Sequence, residues 1–240
     1  MERTSLMIVS TLAIVLKSFP YGDTSIIARC FTKEYGKISI IARGARTKKS
    51  MQSAHLQPLS FLDLMFYHKP NRELHTVSKT GFAERWPGIQ DDMKKISYGL
   101  AILELTDKTL TVEDPHGDLF DEIIHVMRLV NSQPQRLNMV FWYYQLKLLE
   151  ILGFRPDLDA EDFIKTSGSE LDKSENARRV ISYLQRADIT AENFIQEIET
   201  FALSPNDRKA ISKYISTHFR LHFDDLGELK ALKVMRQIVQ

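Results

Sequence analysis

Thr24-Ser25-Ile26-Ile27-Ala28-Arg29-Cys30-Phe31-Thr32-Lys33-Glu34-Tyr35-Gly36-Lys37-Ile38-Ser39-Ile40-Ile41-Ala42 runs out, turns and comes back. Between Thr24 and Thr32 the side chains alternate. Ile26, Ala28 and Cys30 share one face, and Ile27, Arg29 and Phe31 share the other, which is the period-two pattern of a strand. Lys33-Glu34-Tyr35-Gly36 suits a short hairpin loop with its glycine in the left-handed conformation. Lys37–Ala42 is the return strand.

Similar segments flank this hairpin. Ser5–Ser18 is rich in Val, Ile and Leu, and Pro20-Tyr21-Gly22-Asp23 reads as a turn. Downstream, Leu59–His68 is a longer apolar strand, Pro70-Asn71-Arg72 turns it, and Glu73–Gly81 completes the set. Five strands separated by turn signals predict a small barrel, and the five-stranded oligonucleotide-binding (OB) type fits best. After Trp86-Pro87-Gly88 the period becomes helical. Met93, Ile96, Leu100 and Leu103 follow Asp91-Asp92, and Asp118 suits the cap of a second helix. A third helix should open at Pro134, run to Leu152 and stop at Gly153. It is apolar almost all round, as a central bundle helix would be, although one ring of Phe141-Trp142-Tyr143-Tyr144 should face away from the core. Four more helical patterns cover about Glu175–Arg186, Ala191–Leu203, Asp207–His222 and Gly227–Val239. The expected class is α+β: an OB barrel over 1–82 and an all-α helical domain over 83–240, with a loose polar segment at 156–173.

Charge divides along the same line. Residues 1–80 hold 12 Lys+Arg and 5 Asp+Glu, a net of +7, while the remaining 160 hold 20 and 26, a net of −6. The formal total of +1 therefore hides a basic head on an acidic body. The cations concentrate after the hairpin, in Ala42-Arg43-Gly44-Ala45-Arg46-Thr47-Lys48-Lys49-Ser50, with no acidic residue between Glu34 and Asp63. Cations on a loop held by a rigid sheet form a phosphate grip. The candidate nucleic-acid-contacting residues are Lys37, Arg43, Arg46, Lys48 and Lys49, with Lys17, Arg29 and Arg72 flanking. Phe19, Tyr21 and Tyr35 could stack on bases, although packing against the barrel edge explains any one of them better.

Other chemistries find little support. The single cysteine, Cys30, lies in an apolar run and reads as a small buried hydrophobe, so no disulfide or multi-cysteine metal site is expected. The acidic pairs suit helix caps and solvated loops rather than a two-metal centre. His218 and His222 have helical spacing but no His-Glu-x-x-His context. Phosphate-loop and nucleophile-elbow motifs do not occur. No catalytic residue, metal or cofactor is therefore expected. The longest apolar run near the N-terminus, Leu12–Leu16, is too short to span a membrane, and no secretory signal is visible, so the expected location is cytoplasmic, with nucleoid association following from the nucleic-acid expectation.

The hairpin and basic loop also resemble the RecO family of bacterial recombination mediators. The resemblance rests on Tyr21-Gly22-Asp23-Thr24-Ser25, Tyr35-Gly36-Lys37, Ala42-Arg43-Gly44-Ala45-Arg46 with Lys48-Lys49-Ser50, then Leu56-Gln57-Pro58 and Pro87-Gly88. Leu148-Leu149-Glu150-Ile151-Leu152-Gly153-Phe154-Arg155-Pro156-Asp157-Leu158 is similar to the end of that family's central helix. The resemblance covers most of residues 10–160. It implies an OB domain joined to a helical domain, and binding and annealing of single-stranded DNA, with double strands not excluded. It also implies RecR, the C-terminal tail of single-stranded DNA-binding protein and, indirectly, RecA as partners. The DNA-contacting role passes to Arg43, Arg46, Lys48 and Lys49, with Lys37 close by.

Two departures stand out. Many members carry a four-cysteine zinc site after Pro-Asp-Leu; here Asp159-Ala160-Glu161-Asp162 follows, so no zinc ribbon is expected. The family often has Arg-Phe-Glu where this chain has Tyr143-Tyr144-Gln145, which leaves the tail-docking position unassigned. The expected function is a non-enzymatic DNA repair mediator that binds single strands, promotes annealing and loads recombinase with RecR. The rival expectations are a protein-docking adaptor whose barrel does not bind DNA, and a metal-dependent nuclease.

Overall fold

Strand β1 (Met7–Tyr21) is long because it serves two partners. Its first half pairs antiparallel with β4 (Phe61–His68), from Met7 opposite His68 to Ile14 opposite Phe61. Its second half pairs with β2 (Ser25–Thr32), from Ala13 opposite Thr32 to Tyr21 opposite Ser25. A bulge between Val15 and Lys17 bends the strand between these partners. β2 pairs antiparallel with β3 (Gly36–Ala42), and β3 pairs in parallel with β5 (Leu74–Glu84), Ser39 lying opposite Leu74. The order β1-β2-β3-β5-β4 closes a barrel, so no sheet edge is left open. The computed structural model describes residues 7–68, 72–133, 135–158, 171, 173–224 and 226–238, with side chains to 234. Ser5, the Pro70-Asn71 turn, the helix opening at Pro134, Val239 and most of the 156–173 segment lie outside the described residues.

The strand ends differ from expectation for local reasons. β1 continues through Pro20 and Tyr21, and the turn is Gly22-Asp23-Thr24, with Gly22 at φ +54°. Pro20 is tolerated one residue from the strand end, where a missing N–H costs little. β4 begins at Phe61 rather than Leu59, because Leu59 has φ +72° and donates its N–H to the Val15 carbonyl at 3.2 Å, beside the bulge.

The barrel interior is apolar, with Val15, Ile26, Ala28, Cys30, Ile40 and Phe66 at its centre. Burial pushes the Cys30 thiol up to about 12, so it acts as a packing group. The other face of β2 is covered as well. Ile14, Leu16, Phe31 and Phe61 point outward from the barrel into the core of the helical body. There Phe31 meets Phe120 at 5.7 Å, and Phe61 stacks on Trp86 at 5.9 Å. A large side chain buried in this way contributes about 2 kcal/mol, so the two units are held together by a shared apolar core.

The body comprises α2 (Pro87–Gln90), α3 (Met93–Thr109), α4 (Gly117–Ser132), α5 (Leu137–Ile151), α6 (Glu175–Leu184), α7 (Phe194–Thr200), α8 (Pro205–His222) and α9 (Lys230–Ile238); a short α1 (Gln52–His55) belongs to the barrel. Asp92 caps α3 by accepting from the Lys94 and Lys95 amides. Asp118 does not cap α4, which starts at Gly117; its carboxylate accepts from the Leu119 amide within the first turn. Arg136 sits at φ +57°, so α5 begins after it. At the other end Gly153 (φ +84°) and Phe154 donate to the Glu150 and Leu149 carbonyls at 3.0 and 2.7 Å, forming a Schellman stop. All four rings of Phe141-Trp142-Tyr143-Tyr144 are buried, contrary to the expectation that one would face outward. The surrounding helices explain this: Tyr144 hydrogen-bonds Thr106, Tyr143 meets Phe194 edge-on at 5.4 Å, and Phe141 meets Tyr98.

Candidate nucleic-acid interface

The hairpin glycine fixes the geometry. Gly36 has φ +62°, and a Cβ there would lie 2.4 Å from the Asp114 carbonyl oxygen. That close approach lets the segment after α3 run beside β3: Glu113 donates its amide to the Lys37 carbonyl at 3.0 Å, and Val112 bridges to Lys37. The lower, outward face of β2 and β3 is therefore occupied by the helical body.

This covering changes the role of three candidate cations. Lys37 is buried, and its Nζ donates to the Asp107 carbonyl at 2.6 Å and to the Leu110 carbonyl. Lys17 and Arg29 converge on the carboxylate of the same Asp107, Arg29 at 3.0 Å. Asp107 is 5% exposed. Burial alone would raise its pKa, but hydrogen bonds from Lys17 and Arg29 hold it below the ordinary carboxylate range. Burial lowers the Lys37 pKa, and the Asp107 charge opposes that shift. Lys17, Arg29 and Lys37 thus tie the barrel to α3; Lys37 is withdrawn from the surface, while Lys17 and Arg29 stay partly exposed at the edge.

The remaining candidates gather at the opposite end. Past Ala42 the chain turns at Gly44 (φ +70°), and Thr47 donates its amide and hydroxyl to the Gly44 carbonyl at 3.1 and 2.8 Å. Ala45, wholly buried, anchors the loop in the barrel core. Arg46 donates its amide to the Thr24 carbonyl and its guanidinium to the Gly22 carbonyl, at 2.8 and 3.1 Å. The basic loop is therefore stapled to the β1–β2 turn, with Arg43, Lys48 and Lys49 exposed.

Beside it lies an open groove of about 810 Å³, bordered by Tyr21, Ser25, Ile41, Arg43, Arg72 and Leu74. These come from the ends of β1 and β3, the start of β2, Arg72 in the β4–β5 connection and the start of β5. They are the elements with which OB barrels hold oligonucleotides. Tyr21 is 56% exposed and Phe19 48%, so both rings are accessible; Tyr35 instead packs on Phe66 and His68. The sequence did not reveal the groove, because it requires closure of β3 onto β5.

The histidines are separated in role. His218 is buried against Tyr214, and His222 stacks on Phe154 at 4.4 Å. Among the described residues no group of three or more His, Cys, Asp or Glu could hold a metal, and no helix is long and apolar enough to cross a membrane. Asp159, Glu161 and Asp162 lie outside the described residues.

The class of protein is a closed five-stranded barrel of the OB type with a cationic rim, packed on a helical body. Residues 7–84 match the model for the recombination protein O N-terminal domain, and residues 90–231 match that for its C-terminal domain. The chain belongs to the RecO family of DNA repair proteins. Over 96% of its length it is 30% identical to the DNA repair protein RecO of Salinibacter ruber, covering 94% of that protein. It is 25% identical to the RecO of Alkaliphilus metalliredigens and 26% to that of Chlorobium limicola, covering 97% of this chain in each case and 100% and 99% of those proteins.

Proposed function

We propose that the chain binds single-stranded DNA across the barrel groove and basic rim, and promotes pairing of complementary strands without covalent chemistry. The observation that carries this reading is the convergence of Arg43, Arg72 and exposed Tyr21 on one open groove, which Glu73 also lines, with Lys48 and Lys49 exposed on the loop that follows Arg43. Cations neutralise backbone phosphates, an exposed ring gives a base a stacking face, and base pairing drives the annealing itself. Family membership supports a role in recombinational repair alongside RecR, the tail of single-stranded DNA-binding protein and recombinase loading.

The test is charge reversal at Arg43 and Lys48, both exposed on the rim. Arg43→Glu with Lys48→Glu should weaken single-strand affinity at least ~10-fold at moderate salt, since several phosphate contacts are lost at once. Circular dichroism should show an unchanged fold. Wild-type affinity in this variant would leave the adaptor reading in place. That alternative rests on a cleft of about 290 Å³ in the helical body, lined by Phe141, Trp142, Phe219 and Leu229.

A further inference from the structure

The helical body carries a second basic groove. It has an open volume of about 510 Å³ and is lined by Arg178, Arg179 and Arg186 with Tyr183 and Phe201. A smaller cleft of about 340 Å³ shares Ser182 and Arg186 with it and adds Arg155. Four arginines therefore follow one surface; Glu175 and Asp157 line it with them, and Glu150 pairs with Arg155 at 3.0 Å. The helical repeat produces the alignment: Arg178, Ser182 and Arg186 are four residues apart, so they lie along one side of α6 and its C-terminal extension.

The groove is also organised. Arg186 donates from Nε to the Ser182 carbonyl at 3.1 Å and from Nη2 to its hydroxyl at 2.8 Å. Arg178 reaches the Leu158 carbonyl at 3.4 Å. Tyr183 and Phe201 pair at 5.4 Å, forming an aromatic wall beside the guanidiniums. Arg179 and Arg186 remain exposed. α6 packs on α8 and α5, whereas the barrel groove is lined by residues between 21 and 76.

We infer that this groove is a second nucleic-acid site, taking the phosphate backbone of a second single strand while the barrel holds the first. The inference rests on the strand-binding reading of the barrel. Guanidiniums beside aromatic faces suit a single strand, because they meet phosphates and bases together. Annealing gives the site a purpose: one protein holding two strands raises their effective concentration toward each other.

The experiment uses the full chain and homopolymer strands, which cannot pair with each other. Oligodeoxythymidine is immobilised, protein is added, and capture of a second, labelled oligodeoxythymidine is measured. Wild type should capture it. Arg179→Glu with Arg186→Glu should lower capture at least ~10-fold while first-strand affinity stays within about twofold, because only the second backbone has lost its counter-charges. Arg179→Lys with Arg186→Lys, which keeps the charge, should restore most of the capture and control for folding. Wild-type capture by the reversed variant would overturn the groove and leave the barrel reading standing. Unchanged capture combined with lost binding of a synthetic Asp- and Phe-rich peptide would overturn it in favour of a peptide dock. If reversal at Arg43 and Lys48 is silent while reversal at Arg179 and Arg186 removes all strand binding, the barrel reading fails and the groove remains the strand site.

Discussion

Lys17 and Lys48 carry the same charge but differ in what surrounds their ammonium groups. Lys17 is paired with buried Asp107, whereas Lys48 stands exposed on a stapled loop. Substituting each with glutamine should separate the two roles. Lys48→Gln should lower the log–log salt slope of strand binding by roughly 0.7, the value for one lost phosphate contact on a single strand, and Lys17→Gln should leave the slope unchanged. Titration across salt concentrations checks both. His218 gives a pH dependence of known sign. Burial lowers its pKa from 6.5 to about 4, so the unfolded chain takes up a proton before the folded one does. Stability should therefore fall as pH drops from 6.5 towards 4 and then level off. His218→Phe should flatten that part of the profile in thermal unfolding followed across pH.

Among the elements, the β2–β3 hairpin was the most legible. Alternation assigned its faces correctly, and Lys33-Glu34-Tyr35-Gly36 signalled its turn because only glycine accepts φ +62° beside the Asp114 backbone without strain. Gly36→Ala should cost at least ~2 kcal/mol, combining left-handed strain with a backbone collision. A lowered melting temperature, with loss of hydrogen-exchange protection at the Glu113 amide, is the expected measurement. The helices were legible as periods, and Asp92 and Gly153 marked two of their ends, whereas the left-handed turn at Arg136 leaves no mark in composition. At the candidate site, the loop cations were visible as a local cluster. The engagement of Lys17, Arg29 and Lys37 by Asp107 was not legible, because Asp107 lies 70 to 90 positions further along the chain and no local pattern announces such a partner.

In the whole molecule, barrel and helical body meet through Ile14, Leu16, Phe31 and Phe61, so the basic rim keeps a fixed bearing to everything on the body. The same junction ties down positive charge. Of the 12 Lys and Arg in residues 1–80, Lys17, Arg29 and Lys37 engage Asp107, and Lys33 engages Asp121 at 2.8 Å. On the proposed reading, the barrel meets a strand mainly with the cations of the Arg43–Lys49 loop and Arg72 rather than with a charged coat. The expected result is a short footprint: affinity should rise steeply with oligonucleotide length and level off after a few nucleotides at the barrel, and a continued rise over long oligomers would contradict it. On that reading the barrel works as a handle rather than a sheath, leaving the bases on either side of the grip bare and ready to find their complement.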